Sequence, residues 1–60
     1  MSNTSAYEYE LARLYIVLSN AKQSMASNGN NKNVSDYLSL IRDTENEIIA
    51  LEEKIRSMRR

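Results

Sequence analysis

The chain of 60 residues contains no cysteine and no histidine. These absences exclude disulfide bonds, thiolate metal sites and imidazole ligands, and they remove the commonest general base of enzymes. A chain this short buries little apolar surface and ordinarily needs disulfides, a metal or association to fold stably. The sequence therefore predicts no metal and no other cofactor, and it leaves very regular helix packing or association with another chain as the source of stability.

Proline is also absent, and the single glycine, Gly29, lies in the segment SNGNNKN, residues 27–33. Most of the remaining residues favour helices. Ser5 and Glu8 have the spacing of a capping box, and Gly29 can adopt the left-handed backbone conformation that ends a helix. The predicted segments are a flexible N-terminus over residues 1–5, a helix over 6–27, a turn over 28–33 and a helix over 34–58.

Along both predicted helices, residues recur at alternating spacings of three and four, the heptad pattern of helices that pack against each other. We call these fourteen positions the seam: Tyr7, Leu11, Leu14, Leu18, Ala21, Met25, Val34, Tyr37, Ile41, Thr44, Ile48, Leu51, Ile55 and Met58. A connection of about six residues leaves consecutive helices side by side. The sequence therefore predicts an all-α fold, an antiparallel, coiled-coil-like hairpin of two helices.

A turn centred near Asn31 also predicts which seam residues face each other. The predicted pairs are Met25 with Tyr37, Ala21 with Ile41, Leu18 with Thr44, Leu14 with Ile48, Leu11 with Leu51, and Tyr7 with Ile55. Thr44 is the only polar residue of the seam. A polar seam residue can fix the register or the number of helices, but the Thr44 hydroxyl can also bond back to the carbonyl of Leu40.

Seven apolar or tyrosine side chains lie outside the seam: Tyr9, Tyr15, Ile16, Val17, Leu38, Leu40 and Ile49. A two-helix hairpin leaves such side chains in water, and exposed apolar surface with aromatic residues is typical of binding sites. We predict that these seven residues form one outward stripe. The stripe binds a partner protein or a second copy of the chain, most simply as a dimer, and so completes a helical bundle.

Eight basic and eight acidic residues balance, which argues against a main role in coating nucleic acid or an anionic membrane. The longest apolar run, Leu14–Leu18, is far shorter than the roughly 20 residues needed to cross a bilayer. The N-terminal sequence MSNTS lacks the basic start and apolar core of a signal peptide. We therefore expect no membrane association and a cytoplasmic location.

The acidic side chains are candidates for acid–base chemistry, but a two-helix rod offers no dry pocket that would separate their pKa values. Pairs such as Glu52 with Arg56 have the spacing of a solvated helix face. The SNGNNKN segment lacks the P-loop signature, so we interpret it as a hinge rather than a phosphate site. The basic C-terminal end, Lys54 to Arg60, has no aromatic residue within it for base stacking. The sequence predicts no catalytic residue.

With two heptad helices about a short turn, the chain resembles the small helical-hairpin chaperone subunits of type III secretion needles, and short phage head–tail joining or host-takeover proteins. The resemblance implies a partner-binding role and assigns no residues. We predict a non-enzymatic interaction module, a small adaptor, chaperone or inhibitor. The alternatives are a purely structural homo-oligomeric bundle and, with less support, a nucleic-acid or nucleotide binder that uses the basic C-terminal end.

Overall fold

A computed structural model describes residues 4–28 and 34–59. These residues form two α-helices, α1 (Thr4–Asn28) and α2 (Val34–Met58), which pack against each other. The molecule is a rod, 48 Å long and 14 Å by 10 Å across. The predicted all-α helical hairpin is therefore confirmed.

Helix α1 begins two residues before the predicted start at Ala6, so Thr4 and Ser5 are helical rather than part of a flexible N-terminus. Thr4 lies three residues before Tyr7, continues the seam spacing and is buried, which explains why the helix extends to it. Helix α2 has the predicted bounds. Apart from Asn28, the last residue of α1, the predicted turn with Gly29 lies outside the described residues.

The core lies between the two helices and is one layer thick. Its buried members are all seam residues or the added Thr4: Thr4, Ala21, Ile41, Thr44, Ile48 and Ile55. The other seam residues are half-buried, except Met58 at the end of α2, which is exposed. No described side chain is fully buried. Heptad spacing thus places the right residues between the helices, but two helices alone cannot enclose them.

Three polar contacts between the helices define their register. Each joins the residue after a seam residue on α1 to the residue after a seam residue on α2. The contacts are Glu8 with Arg59, Tyr15 with Glu52, and Lys22 with Glu45. Residue numbers rise by seven on α1 while they fall by seven on α2, so the helices are antiparallel along their length. The predicted facing of Leu14 and Ile48 stays a prediction, because the residue numbers of these three contacts add to 67, whereas those of the predicted seam pairs add to 62.

Thr44 lies in the middle of the buried row of α2, between Ile41 and Ile48, and is only 4% exposed. Within residues 4–28 and 34–59, no buried side-chain nitrogen or oxygen lacks a hydrogen-bond partner. A threonine at this position therefore adds no unsatisfied buried atom to the core. Both roles suggested for its hydroxyl, register selection and bonding to the Leu40 carbonyl, stay predictions.

Candidate protein-interaction surfaces

All seven side chains predicted to bind a partner are exposed on the hairpin. Tyr9 and Ile16, at 69% and 61% exposure, are the most exposed of the large apolar residues described. Exposure of this size matters because, among residues 4–28 and 34–59, only four apolar side chains are buried, Ala21 and three isoleucines. More large apolar side chains lie on the surface of this molecule than in its interior.

The seven residues do not form the single stripe predicted from the sequence. Helical spacing and the register between the helices distribute them over three surfaces. Tyr9 and Ile16 project from α1 on the side away from α2, which we call the outer face of α1. Tyr15, Leu38 and Ile49 lie along one edge where the helices meet, the Tyr15 edge. Val17 and Leu40 lie along the opposite edge, the Val17 edge.

The Tyr15 edge carries the Glu8–Arg59, Tyr15–Glu52 and Lys22–Glu45 contacts. Between two of them, Tyr15 and Ile49 line a shallow groove whose floor contains Leu18 and Ile48. Leu38 borders a second depression, about three helical turns before Ile49 on α2, and Glu45 borders both depressions. The apolar residues of this edge therefore belong to two neighbouring depressions on α2, and Tyr15 extends the one beside Ile49 onto α1.

Tyr15 is held in place across the groove by Glu52. Its hydroxyl donates a hydrogen bond of 2.6 Å to a carboxylate oxygen of Glu52. This hydrogen bond is the main reason that the pKa of Tyr15 is raised above its usual 10.0, with desolvation and the Glu52 charge adding to it. The hydrogen bond to Glu52 orients the Tyr15 ring beside Ile49, and an aromatic side chain that is already oriented loses less entropy when a partner packs on it.

The Val17 edge contains another groove, lined by Leu14 and Leu51 and bordered by charged side chains, Glu10, Glu47 and Lys54. The Lys54 ammonium lies 5.1 Å from the centre of the Tyr7 ring, within the range of a cation–π contact. Val17 follows Glu10 by two turns, and Leu40 precedes Glu47 by two turns, so both lie on this edge. Its mixed charge makes it a more polar surface than the Tyr15 edge.

The basic C-terminal end is partly neutralised by contacts with α1. The Arg59 guanidinium pairs with the Glu8 carboxylate, and Lys54 lies over the Tyr7 ring. Arg56 is exposed on α2, and Arg60 lies outside the described residues. These contacts tie the end of α2 to the beginning of α1.

The described part of the chain contains no group of three or more His, Cys, Asp or Glu side chains placed to hold a metal ion. Neither α1 nor α2 is long and apolar enough to cross a membrane. No protein-family model, no curated protein and no solved structure matches this chain.

Proposed function

We propose that this protein is a non-enzymatic interaction module, a small helical adaptor, chaperone or inhibitor that binds a partner protein through the Tyr15 edge. One observation carries the proposal. Eight large apolar side chains are 39% to 69% exposed, while no side chain in the described helices is fully buried. Burial of apolar surface is the main source of stability in small domains, so a partner that covers this surface would stabilise the hairpin.

The shape of the Tyr15 edge suits a helix as the partner element. Two antiparallel helices leave a long groove between them, and an amphipathic helix inserts side chains into such a groove at spacings of three and four. Tyr15 and Ile49 stand on opposite walls of this groove, and Leu18 and Ile48 lie between them. Lys22 and Glu45, on the rim, pair at 3.7 Å and remain more than 45% exposed, so a partner could bond to either.

The nucleic-acid alternative receives less support from the geometry. Arg59 is paired with Glu8, and acidic side chains border both grooves. A surface that binds phosphates needs several uncompensated cations on one side.

The proposal also includes the cytoplasmic location expected from the sequence. Fractionation of the cells that produce the protein tests this location.

Photo-cross-linking in the cells that produce the protein tests the proposal. The full chain carries a photoreactive phenylalanine analogue at Ile49, on the Tyr15 edge, or at Asn46, an exposed residue on the side of α2 away from α1. We expect a defined adduct with a different protein from position 49 and none from position 46. Absence of a heterologous adduct at 49, or equal labelling from both positions, would contradict the proposal.

A further inference from the structure

The hairpin exposes more surface than a compact protein of its size. Its accessible surface is 4711 Å² for a mass of 6.9 kDa. A compact monomer of that mass exposes about 4,000 Å², so this rod has an excess of roughly 700 Å². A stable interface covers about 800 Å² on each partner. The excess is therefore close to the area that one additional interface would bury.

The outer face of α1 is the surface best suited to that interface, because it is uncharged along the whole helix. A second row of residues with spacings of four and three follows it: Ser5, Tyr9, Ala12, Ile16, Ser19, Gln23 and Ala26. All seven are exposed. The corresponding face of α2 contains Arg42, Glu53 and Arg56. Of the two helices, only α1 therefore has an uncharged row of residues facing solvent in addition to its seam.

We propose that the outer face of α1 binds the same face of a second copy of this chain, with the two α1 helices antiparallel. Large and small side chains alternate along the row, and an antiparallel pair brings each large one opposite a small one. Tyr9 meets Ser19 of the second copy, and Ile16 meets Ala12 of the second copy. A parallel pair would place Tyr9 on Tyr9 and leave gaps between the small residues, which costs packing energy.

On one flank of this row the charges are complementary in the same register. Glu8 lies next to Lys22 of the second copy, and the symmetry repeats this contact at the other end. Tyr15 lies beside its own copy at the two-fold axis. On the other flank Arg13 also lies near its own copy, and each Arg13 is paired with Glu10 of its own helix.

The dimer has a consequence for the Tyr15 edge. A two-fold axis between antiparallel helices runs perpendicular to the plane of their axes, so equivalent residues stay on one side of the assembly. The Tyr15 edges of both copies therefore face the same direction. The dimer uses the outer face of α1, which borders the Tyr15 edge at Tyr15 itself. Substitutions at Ile16 and at Ile49, each on one of these surfaces, test the two proposals separately.

Sedimentation of the full chain over a wide range of concentrations tests the dimer. We expect the wild type to sediment at twice 6.9 kDa. Ile16→Glu should place two carboxylates in the interface and yield a monomer, whereas Ser39→Glu, on the exposed side of α2 away from α1, should leave the dimer intact. Ile49→Glu should also leave it intact, because Ile49 lies on the Tyr15 edge. A monomeric wild type, or dissociation by Ile49→Glu alone, would overturn the inference.

Disulfide formation provides a second measurement that does not depend on how Ile16→Glu folds. Because the chain has no cysteine, single-cysteine variants react without background. Mixing Tyr9→Cys with Ser19→Cys should produce the mixed disulfide dimer. In the antiparallel register, position 9 lies about 15 Å along the helix from position 9 of the second copy, too far for a disulfide. Preferential cross-linking of Tyr9→Cys to itself would overturn the antiparallel arrangement.

Discussion

Ile48 and Ile49 are adjacent in α2 and chemically identical, but they differ in burial. Ile48 is 5% exposed in the seam, and Ile49 is 55% exposed on the Tyr15 edge. Replacing a buried isoleucine by alanine costs about 2–5 kcal/mol. We expect Ile48→Ala to cost about 2–3 kcal/mol, toward the lower limit, because a core one layer thick can partly close around the missing atoms. Ile49→Ala should cost less than about 0.5 kcal/mol, since alanine also favours helix.

Thermal unfolding followed by circular dichroism at 222 nm measures both effects. For a domain of this size, 1 kcal/mol shifts the midpoint by about 4–8 °C, so Ile48→Ala should melt roughly 10–20 °C below the wild type. All variants are compared at one protein concentration, because association raises the midpoint. Equal losses for the two variants, or a larger loss for Ile49→Ala, would refute the assignment of Ile48 to the core and of Ile49 to the surface.

Two further predictions concern the helix–helix contact and its edge. Ala21 is buried in the core, so a larger side chain there would overpack it, and Ala21→Leu should destabilise the hairpin by about 1–3 kcal/mol. Leucine at the exposed Ala50 should have little effect, and equal urea midpoints for the two variants would contradict this prediction. The raised pKa of Tyr15 means that the folded state holds its phenol proton more tightly than the unfolded chain. The wild type should therefore be more stable than Tyr15→Phe below pH 10.0, and this difference should disappear as the pH rises through the pKa of Tyr15 in the folded state. A difference in melting temperature between the two proteins that does not depend on pH would contradict this prediction.

The two helices were predictable because helix formation depends on local features that the sequence displays directly. Absence of proline, a single central glycine and unbroken heptad spacing predict helices whose bounds differ from the observed ones by at most two residues. Thr4 was missed because Ser5 and Glu8 have the spacing of a capping box, which predicts that the helix begins after Ser5. Its distance of three residues from Tyr7 was the signal that could have found it.

The candidate surface was less predictable. The sequence identified seven of the eight exposed large apolar residues by their positions off the seam, but it placed Met58 in the seam and grouped the seven into one stripe. Which residues of one helix lie beside which residues of the other depends on register and handedness, and these separate Tyr15 and Ile49 on one edge from Val17 and Leu40 on the other. The sequence also did not draw attention to the uncharged outer face of α1, although its second heptad row was present there.

The sequence by itself determined the helices, the seam and the antiparallel pairing, because spacing along a helix decides which side chains share a face. The tertiary structure decided which exposed residues are neighbours, because that depends on two helices placed side by side. It also decided that Tyr15 is bonded to Glu52 and that Arg59 is paired with Glu8. These contacts join residues far apart in the chain, and local sequence patterns do not predict them.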